Sequence, residues 1–577
     1  MALEFIYNKI KNTLRKIDMK IEKAKYGYIE KLPAKLEYFN GGLYDAIYEA
    51  SCKWPHNVAL EYFDTQITYK ELIKRINKVA AALKAIGAEK GEHITICMPN
   101  TPESIYAFYA VNEIGAVANM VHPLSSEKEI EDFLNQAKSK IILCIDIAYP
   151  KVEAVIKNTE VEQVIVVSAT RSMDFLVRAI YKVTKGRKNH IKKSQHVITW
   201  DRFLAKSSRF IGNPHARVDS GDDAVIMYSG GTTGKPKGIV LSNLNFNAQA
   251  LGAKCLVPEL FKPEYSFMAF LPNFHAFGLG CCIHMPLYFG ARSFLIPQFN
   301  PKKFKKYIMK YKVSILIGVP SVFDYLTKIK FGKNDLKHVK FVVSGGDIIS
   351  MTNKEKINDF LKAHGSRAVI ENGYGLTEAS GGFIFSPRSV AENPDGIGYP
   401  IPDNDVIIVD LKTKKEAKLG EDGEIVVRGL SVMKRYLDKP KETEEAFIEV
   451  GGKKYLRTGD IGYVDKDGLF HFRARLKRLI ISNGYNIYPA NIEDVTLKCK
   501  SVSACSAVGK EDELRGEKVV VFVVLEKGAS ERATKKELNI IYKKHLAKYE
   551  IPREIRFIPE LPKTKLAKID FKALERL

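Results

Sequence analysis

YSGGTTGKPKG, residues 228–238, places four glycines, two lysines and three serine or threonine hydroxyls in eleven residues. It follows the apolar run 224–227, which is typical of a buried strand, so the glycines are predicted to lie in the loop that leaves this strand. Glycine lets backbone N–H groups converge on an anion without interference from a Cβ atom. The loop therefore has the components of a phosphate-binding cradle.

This loop differs from the common nucleotide-binding patterns. The P-loop requires G-x-x-x-x-G-K followed by Ser or Thr, whereas here Ser229 stands at the first glycine position and Pro236 follows Lys235. The dinucleotide fingerprint G-x-G-x-x-G is also missing from the stretch. A glycine-rich loop can equally be a plain turn, so other segments must distinguish the two interpretations.

The sequence around the loop predicts an α/β fold with several parts. From residue 41 to about 385, apolar strand-like runs alternate with helical periods, which favours layered α/β subdomains with largely parallel sheets. Residues 386–472 contain short alternating runs punctuated by glycine, which indicates a β-rich, antiparallel subdomain. About 100 residues follow, with a strand at "VVVFVVLE" and a helix near 534–547, which predicts a small α+β domain. We place the boundaries at 1–40, 41–474 and 475–577.

Composition predicts a globular protein. The chain has 577 residues, 45% of them hydrophobic. Its eight cysteines form no C-x-x-C pair and lie mostly in apolar runs, which favours free buried thiols in a reducing cytosol over a disulfide framework. Cys281, Cys282 and His284 are interpreted as core residues because no second metal-ligand pair stands at zinc spacing. We find no secretory signal and no apolar run near the ~18 residues of a membrane span.

Basic residues concentrate in two segments of this chain, whose net charge is +23. Residues 1–25 hold seven basic and three acidic residues around apolar positions spaced as in an amphipathic helix, and residues 171–193 hold eight basic and one acidic residue. Both suit an anionic membrane surface. The alternatives for these two segments are a solvated structural role and nucleic-acid binding, of which nucleic-acid binding is not expected. We predict a cytoplasmic protein that is peripheral on the membrane.

Four further segments carry groups that suit a nucleotide. "ENGYGLTE" (371–378) supplies an aromatic ring, a hydroxyl and a carboxylate, which suit base stacking and magnesium. "YLRTGD" (455–460) puts a carboxylate after a predicted tight turn, where it could accept hydrogen bonds from ribose hydroxyls. "RARLKRLIISNGYNIYPANIED" (473–494) is a basic stretch between the two domains, and "LPKTKLAKID" (561–570) is a lysine-bearing loop near the C-terminus.

Together and in this order, the five segments resemble the ANL superfamily of adenylate-forming enzymes, which includes acyl-CoA synthetases, over residues 41–577. The resemblance implies a two-step reaction: a carboxylate attacks the α-phosphorus of ATP to give an acyl-adenylate and pyrophosphate, and a thiol then displaces AMP. It implies that the glycine-rich loop holds the β- and γ-phosphates. It also implies a small C-terminal domain that rotates between the steps.

The resemblance assigns roles residue by residue. The residues implied to bind ATP or AMP are Ser229, Gly230, Gly231, Thr232, Thr233, Gly234, Lys235, Gly346, Tyr374, Gly375, Asp460 and Arg475. Those implied in catalysis are Lys237, Thr377, Glu378 and Lys568. Among them, Glu378 would hold Mg²⁺, Asp460 and Arg475 would contact the ribose, and Lys568 would bridge the substrate carboxylate and the α-phosphate.

Three further residues are implied in movement and substrate binding. Lys477 matches the pivot of the domain rotation, Gly484 would border the pantetheine tunnel of CoA, and His275 would wall the acyl pocket. The chain departs from the family pattern at Ala567, before the C-terminal lysine, and at Ala474 and Arg435. None of these departures removes a charged group implied in catalysis.

The prediction is therefore an acyl-CoA synthetase that uses ATP, Mg²⁺ and CoA, with a medium- or long-chain fatty acid favoured as the carboxylic acid. Two alternatives stay open. The acyl group could pass to a carrier-protein thiol, or the chain could be a non-catalytic nucleotide-binding relative.

Overall fold

The computed structural model describes most of the chain, with seven gaps. The described ranges are 36–173, 196–228, 236–387, 396–482, 485–512, 515–563 and 569–577. The basic segment 1–25 and most of 171–193 lie outside them.

Helices occur throughout the described ranges. In chain order they are α1 Leu43–Lys53, α2 Tyr69–Ala85, α3 Pro102–Glu113, α4 Glu127–Ala137, α5 Tyr149–Val155, α6 Trp200–Ala205, α7 Asn243–Leu256, α8 Met285–Tyr288, α9 Pro301–Tyr311, α10 Pro320–Thr327, α11 Met351–Ala363, α12 Pro440–Glu445, α13 Pro489–Thr496, α14 Glu531–His545 and α15 Phe571–Arg576. A π-helix, Phe277–His284, runs directly into α8.

The strands form three sheets. In chain order they are β1 Val58–Tyr62, β2 Thr65–Thr68, β3 His93–Cys97, β4 Val117–Met120, β5 Ile141–Ile145, β6 Gln163–Val167, β7 Val197–Thr199, β8 Asp223–Tyr228, β9 Gly238–Ser242, β10 Ser266–Ala269, β11 Arg292–Leu295, β12 Ile315–Gly318, β13 Phe341–Gly345, β14 Ile370–Tyr374, β15 Ile384–Phe385, β16 Gly396–Pro400, β17 Asn404–Val409, β18 Gly423–Gly429, β19 Arg435–Tyr436, β20 Phe447–Val450, β21 Lys453–Val464, β22 Phe470–Arg475, β23 Ile480–Ser482, β24 Tyr485–Ile487, β25 Val502–Asp512, β26 Gly516–Leu525 and β27 Glu554–Phe557.

Two large sheets build the first part of the chain. One has eight strands in the order β19-β9-β8-β4-β3-β5-β6-β7, and it is parallel from β8 to β7. The other has 14 strands; its half from β14 through β13, β12, β10 and β11 to β1 is parallel. One continuous core packs helices against both sheets. The predicted layered α/β fold is confirmed.

The central parallel strands are mostly buried because helices cover both faces, as the uninterrupted apolar run Ile141–Ile145 illustrates, whereas the edge strand β7 and the strand β14 beside the cleft are partly exposed. Polar side chains define where the helices begin. Thr68 accepts a hydrogen bond from Glu71 N at the start of α2, and Ser242 accepts one from Asn245 N at the start of α7. Such caps satisfy amide groups that the helix itself leaves without partners.

The strands after residue 396 pair differently. β16, β17, β18, β20, β21 and β22 are antiparallel, which confirms the predicted β-rich subdomain, and they continue the 14-stranded sheet. The five-stranded third sheet is built only from residues after 475 and packs on α13 and α14 around its own core. This unit is the small α+β domain that the sequence predicted.

All eight cysteines are free thiols, as predicted, and six are buried: Cys97, Cys144, Cys281, Cys282, Cys499 and Cys505. His284 is also buried; its ring nitrogens lie 3.1 Å from the Tyr109 hydroxyl and 3.0 Å from Asn247 Oδ1. Burial lowers the pKa of His284 to about 3. Cys281, Cys282 and His284 are therefore core residues.

Among the described residues, no helix combines the length and apolar composition needed to cross a membrane.

Candidate active site

A cleft of about 3840 Å³ opens at the carboxyl ends of β10, β12, β13 and β14 and extends to the C-terminal domain. Ligands of open parallel sheets bind at this edge, because loops and helix N-termini converge there. Every predicted site residue within the described ranges lines this one cleft: Lys237, His275, Gly346, Tyr374, Gly375, Thr377, Glu378, Asp460, Arg475 and Lys477. Residues far apart in sequence thus share a single site.

Tyr374, Asp460 and Arg475 form a connected group in the cleft. The Tyr374 hydroxyl donates to Asp460 Oδ2 at 2.8 Å, and Arg475 Nε lies 3.5 Å from Asp460 Oδ1. Asp460 and Arg475 face each other as partners in the β21–β22 ladder. The carboxylate is almost fully buried, and its charge raises the pKa of Arg475. Burial raises the pKa of Tyr374, so this ring stays a neutral donor.

The predicted tight turn before Asp460 is wrong. Asp460 lies inside the long strand β21. It stands where the register of the pairing between β21 and β18 shifts. Gly459 has φ of +69°, a backbone conformation that favours glycine, and its N–H donates to Glu424 Oε1 at 3.1 Å. Glu424 also accepts from Arg457 Nη2 at 2.8 Å. A bulge rather than a turn re-aims the carboxylate towards the cleft.

Glu378, Tyr436 and Lys237 form a second group. The Tyr436 hydroxyl donates to Glu378 Oε1 at 3.0 Å, and Lys237 Nζ lies 4.7 Å from the centre of the Tyr436 ring. Burial raises the pKa of Glu378, while the Tyr436 hydrogen bond and the charge of Lys237 oppose that shift. One phenol ring at the wall of the cleft therefore holds a cation over its face and a carboxylate at its hydroxyl edge.

The loop after β14 carries Thr377 and Glu378 into the cleft. The loop continues into the short 3₁₀ helix Thr377–Ala379. A Cβ atom on Gly375 would stand 2.5 Å from the Gly381 carbonyl oxygen and the Gly382 Cα, so glycine lets the two halves of the loop pack together. Glu378 O accepts from Met433 N at 2.8 Å, which ties this loop to the segment that carries Tyr436.

An aromatic and apolar wall continues the cleft beyond these polar groups. His275 lies on this wall, with its ring centre 5.1 Å from that of Phe274. Gly346 follows β13 directly and borders the same space. Other apolar lining residues are Phe270, Phe277, Ile296, Phe299, Val322 and Tyr325.

Several predicted residues lie outside the described ranges: Ser229, Gly230, Gly231, Thr232, Thr233, Gly234, Lys235, Gly484 and Lys568. Lys477 is described and lies in the 3₁₀ turn Leu476–Arg478 between β22 and β23. Lys563 and Ile569, on either side of the C-terminal loop, both line the cleft.

Sequence reasoning missed Tyr436. Its neighbour Arg435 was noted only as a departure from the family pattern; Arg435 contacts both oxygens of Asp223, at 2.7 and 3.3 Å. The strand β19 that holds Tyr436 pairs with β9, directly after the glycine-rich loop. This pairing joins segments almost 200 residues apart in sequence, and it brings the Tyr436 ring next to Lys237. The local sequence "VMKRYLD" gives no signal for it.

Comparison with known proteins identifies the family. A family profile described as AMP-binding enzyme matches residues 48–437, and one described as AMP-binding enzyme C-terminal domain matches residues 491–568. The chain belongs to the AMP-binding enzyme family. The long-chain-fatty-acid–CoA ligase of Bacillus subtilis (strain 168) is 31% identical to it over 549 residues, which cover 94% of this chain and 95% of that relative.

Solved structures share the fold of this family member. ATP-bound MatB from Rhodopseudomonas palustris superposes with a TM-score of 0.80 at 23% identity, covering 93% of this chain and 98% of that one. A long-chain-fatty-acid–CoA ligase from Archaeoglobus fulgidus superposes with a TM-score of 0.68 at 22% identity, covering 91% and 98%. The predicted resemblance to adenylate-forming enzymes is confirmed, and this AMP-binding enzyme is an ATP-dependent acid–thiol ligase.

Proposed function

We propose that this AMP-binding enzyme converts a long-chain fatty acid to its CoA thioester, releasing AMP and pyrophosphate. The observation that carries the proposal is the single cleft that joins the polar groups around Asp460 and Glu378 to a long apolar wall. An acyl chain gains free energy by leaving water for such a wall, about 0.8 kcal/mol for each buried CH₂ group. Relatives with 30% or 31% identity are named long-chain-fatty-acid–CoA ligases.

In this proposal the Asp460 group binds the nucleoside. The Asp460 carboxylate accepts hydrogen bonds from the ribose hydroxyls while Arg475 holds its orientation, and Tyr374 and Gly346 border the adenine. Asp460 already accepts from Tyr374 at 2.8 Å, so the carboxylate is oriented before the nucleotide arrives. Preorganisation of this kind removes part of the entropy cost of binding.

The second polar group serves the phosphates. Lys237, with the glycine-rich loop, neutralises phosphate charge, and Thr377 donates its hydroxyl to the α-phosphate. The Glu378 carboxylate fits a Mg²⁺ site, because Mg²⁺ in nucleotide enzymes takes one or two carboxylates together with phosphate oxygens and water. When bound, Mg²⁺ would stabilise the negative charge that develops on the phosphoryl oxygens.

The two steps then follow from positioning. A carboxylate oxygen of the fatty acid forms a bond to the α-phosphorus, and the bond from that phosphorus to pyrophosphate breaks. Lys568 bridges the fatty-acid carboxylate and the α-phosphate in the first step. The CoA sulfur next bonds to the acyl carbon and AMP leaves. We propose that residues 475–577 move as a lid about Lys477 relative to 41–474, and that Gly484 borders the path of the thiol.

We also infer that the basic segments meet an anionic membrane, from which the fatty acid is taken. Residues 1–40 would form an amphipathic basic segment that lies on the membrane surface. Deletion of residues 1–25 should then weaken binding to phosphatidylserine vesicles, and added salt should weaken binding of the intact protein. Unchanged vesicle binding after the deletion would contradict this interpretation.

The test of the proposed function is release of AMP and pyrophosphate from ATP and Mg²⁺ over carboxylic acids from acetate to oleate, with and without CoA. We expect AMP release to require both CoA and an acid of long chain length. Pyrophosphate exchange that CoA does not convert to turnover would favour a carrier protein as acceptor. Absence of exchange with every acid would contradict the proposed function.

A further inference from the structure

Arg478 lies where the hinge meets the C-terminal domain. Its side chain is 13% exposed, although it directly follows Lys477, the proposed pivot. Arg478 Nη2 donates to Glu493 Oε1 at 2.7 Å, and the Arg478 Cζ atom lies 3.6 Å from the centre of the Phe571 ring. A guanidinium that contacts both a carboxylate and an aromatic face is fixed in one orientation. We refer to Arg478, Glu493 and Phe571 as the arginine clamp.

The carboxylate of the arginine clamp is itself held in place. Glu493 lies on α13, and its Oε1 atom also accepts from the Ser506 hydroxyl at 3.2 Å and from Ala507 N at 2.9 Å, both on β25. Three donors therefore converge on one carboxylate oxygen. Because α13 and β25 build the core of the small domain, the Arg478 guanidinium must move with that domain.

A second arginine ties the other end of the hinge to the large domain. Arg475 Nε lies 3.5 Å from Asp460 Oδ1, and these two residues are partners in the β21–β22 ladder. Only Leu476 and Lys477 separate Arg475 from Arg478. Two residues are thus left for the pivot, so a rotation about Lys477 moves everything that is fastened to Arg478 as one unit.

Phe571 joins the arginine clamp to the C-terminal loop. It is the first residue of α15, and the side chain of Asp570 caps this helix. Asp570 N donates to Pro562 O at 2.8 Å, and Lys563 pairs with Ile569 across the base of the loop. The two ends of the loop are therefore fixed to each other and to the ring beneath the guanidinium.

We propose that Arg478 is a positioning residue for adenylate formation: through the Phe571 ring it holds the base of the loop that carries Lys568 at a fixed place relative to the pivot. This inference rests on the proposed function, in which Lys568 acts in the first step. Arg478 and Phe571 both line the cleft, and Phe571 stands three residues after Lys568 in sequence. A displacement of about 1 Å at a reacting group can slow a reaction roughly 10²-fold, so the position of this loop matters for the rate.

The experiment measures the two half-reactions separately in Arg478→Met and Phe571→Leu, which keep apolar bulk but remove the cation or the aromatic face. We expect acid-dependent pyrophosphate exchange at saturating ATP to slow about tenfold in each variant, with the KM for ATP unchanged. Transfer from supplied acyl-adenylate to CoA should keep its rate, since Lys568 takes no part in that step. Phe571→Tyr keeps the aromatic face and should keep the exchange rate of the parent protein.

The matched control is Arg556→Met. Arg556 of the same domain also pairs with a carboxylate, that of Glu554, and its Cζ atom lies 5.7 Å from the centre of the Phe522 ring, but none of these three residues lines the cleft. Its loss should leave both half-reactions unchanged. In a Lys568→Ala background, adding Arg478→Met should cause no further loss of exchange, because Arg478 acts only through the lysine.

Three results would overturn the proposal. Unchanged exchange in either Arg478→Met or Phe571→Leu would show that the arginine clamp does not position the loop. An equal fall in both half-reactions, or a further loss in the Lys568→Ala background, would show that the clamp serves the fold of the domain. If the parent protein itself catalyses no exchange with any acid, the proposed function fails, and that result is visible before any variant is made.

Discussion

The hydroxyl of Tyr436 should set the pH range in which Glu378 is charged. This hydrogen bond stabilises the carboxylate and lowers its pKa, against burial, which raises it. In Tyr436→Phe the ring remains under Lys237 but the donor is lost, so the pKa of Glu378 should rise further. We therefore expect the acidic limb of the pH profile for pyrophosphate release to move to higher pH.

The control for this variant is Tyr455→Phe. The Tyr455 hydroxyl donates to Asp405 at 2.7 Å, and neither residue lines the cleft. Tyr455→Phe should leave the acidic limb where it is. An equal shift in both variants, or none in Tyr436→Phe, would show that Glu378 does not control this limb.

A second carboxyl group, Glu113, should make stability depend on pH. Glu113 is 1% exposed at the end of α3, neither of its oxygens has a hydrogen-bond partner, and burial beside Asp45 raises its pKa to about 8. Between its ordinary pKa and this value the folded chain binds the extra proton, so the free energy of unfolding falls as pH rises.

Glu113→Gln removes that titration. Relative to the parent protein, we expect the variant to gain roughly 2 kcal/mol or more in free energy of unfolding between pH 5 and pH 8, because each pKa unit corresponds to about 1.4 kcal/mol. Denaturant unfolding at several pH values measures the difference. A difference between the two proteins that stays constant with pH would contradict the assignment.

Elements rather than single residues explain which parts of the site the sequence could predict. Tyr374, Thr377 and Glu378 lie close together in one short stretch, so a local motif specifies their arrangement. Asp460 was recognised as a site residue, but its bulge was not, because a register shift depends on the partner strand β18. Tyr436 depends wholly on strand pairing. Local geometry is thus readable from sequence, and contacts made by distant strands are not.

The loop after β14 should depend on glycine at position 375 for its packing. In Gly375→Ala the new Cβ atom would meet backbone atoms of Gly381 and Gly382, which cannot move aside as a side chain could. We expect a loss of about 2–3 kcal/mol in free energy of unfolding and weaker ATP binding. Gly373→Ala is the matched control, since its nearest neighbour is the Val343 side chain at 3.3 Å. Its cost should stay below about 1 kcal/mol; similar costs for both would contradict the role of the loop.

Across the whole molecule, Asp422 joins the two parts that the proposed lid motion must separate. It accepts from Arg473 Nε at 3.2 Å on β22 and from the Tyr488 hydroxyl at 2.9 Å, just before α13 of the C-terminal domain. In this arrangement Lys563 and Ile569 line the cleft, which suits the first step of the reaction. The Tyr488 hydrogen bond should therefore favour adenylate formation over thiol transfer.

Tyr488→Phe removes this bond without changing either domain core. Because a hydrogen bond to a charged group stabilises by about 1.5–3 kcal/mol and this one is half-exposed, we expect adenylate formation to slow about three- to tenfold. Transfer from supplied acyl-adenylate to CoA should not slow, since that step needs the lid to leave this position. Tyr542→Phe, whose hydroxyl meets Thr496 at 2.8 Å inside the same domain, is the control. If Tyr488→Phe slows both half-reactions equally, or if Asp422→Ala fails to reproduce its effect, the contact supports the fold and does not bias the position of the lid.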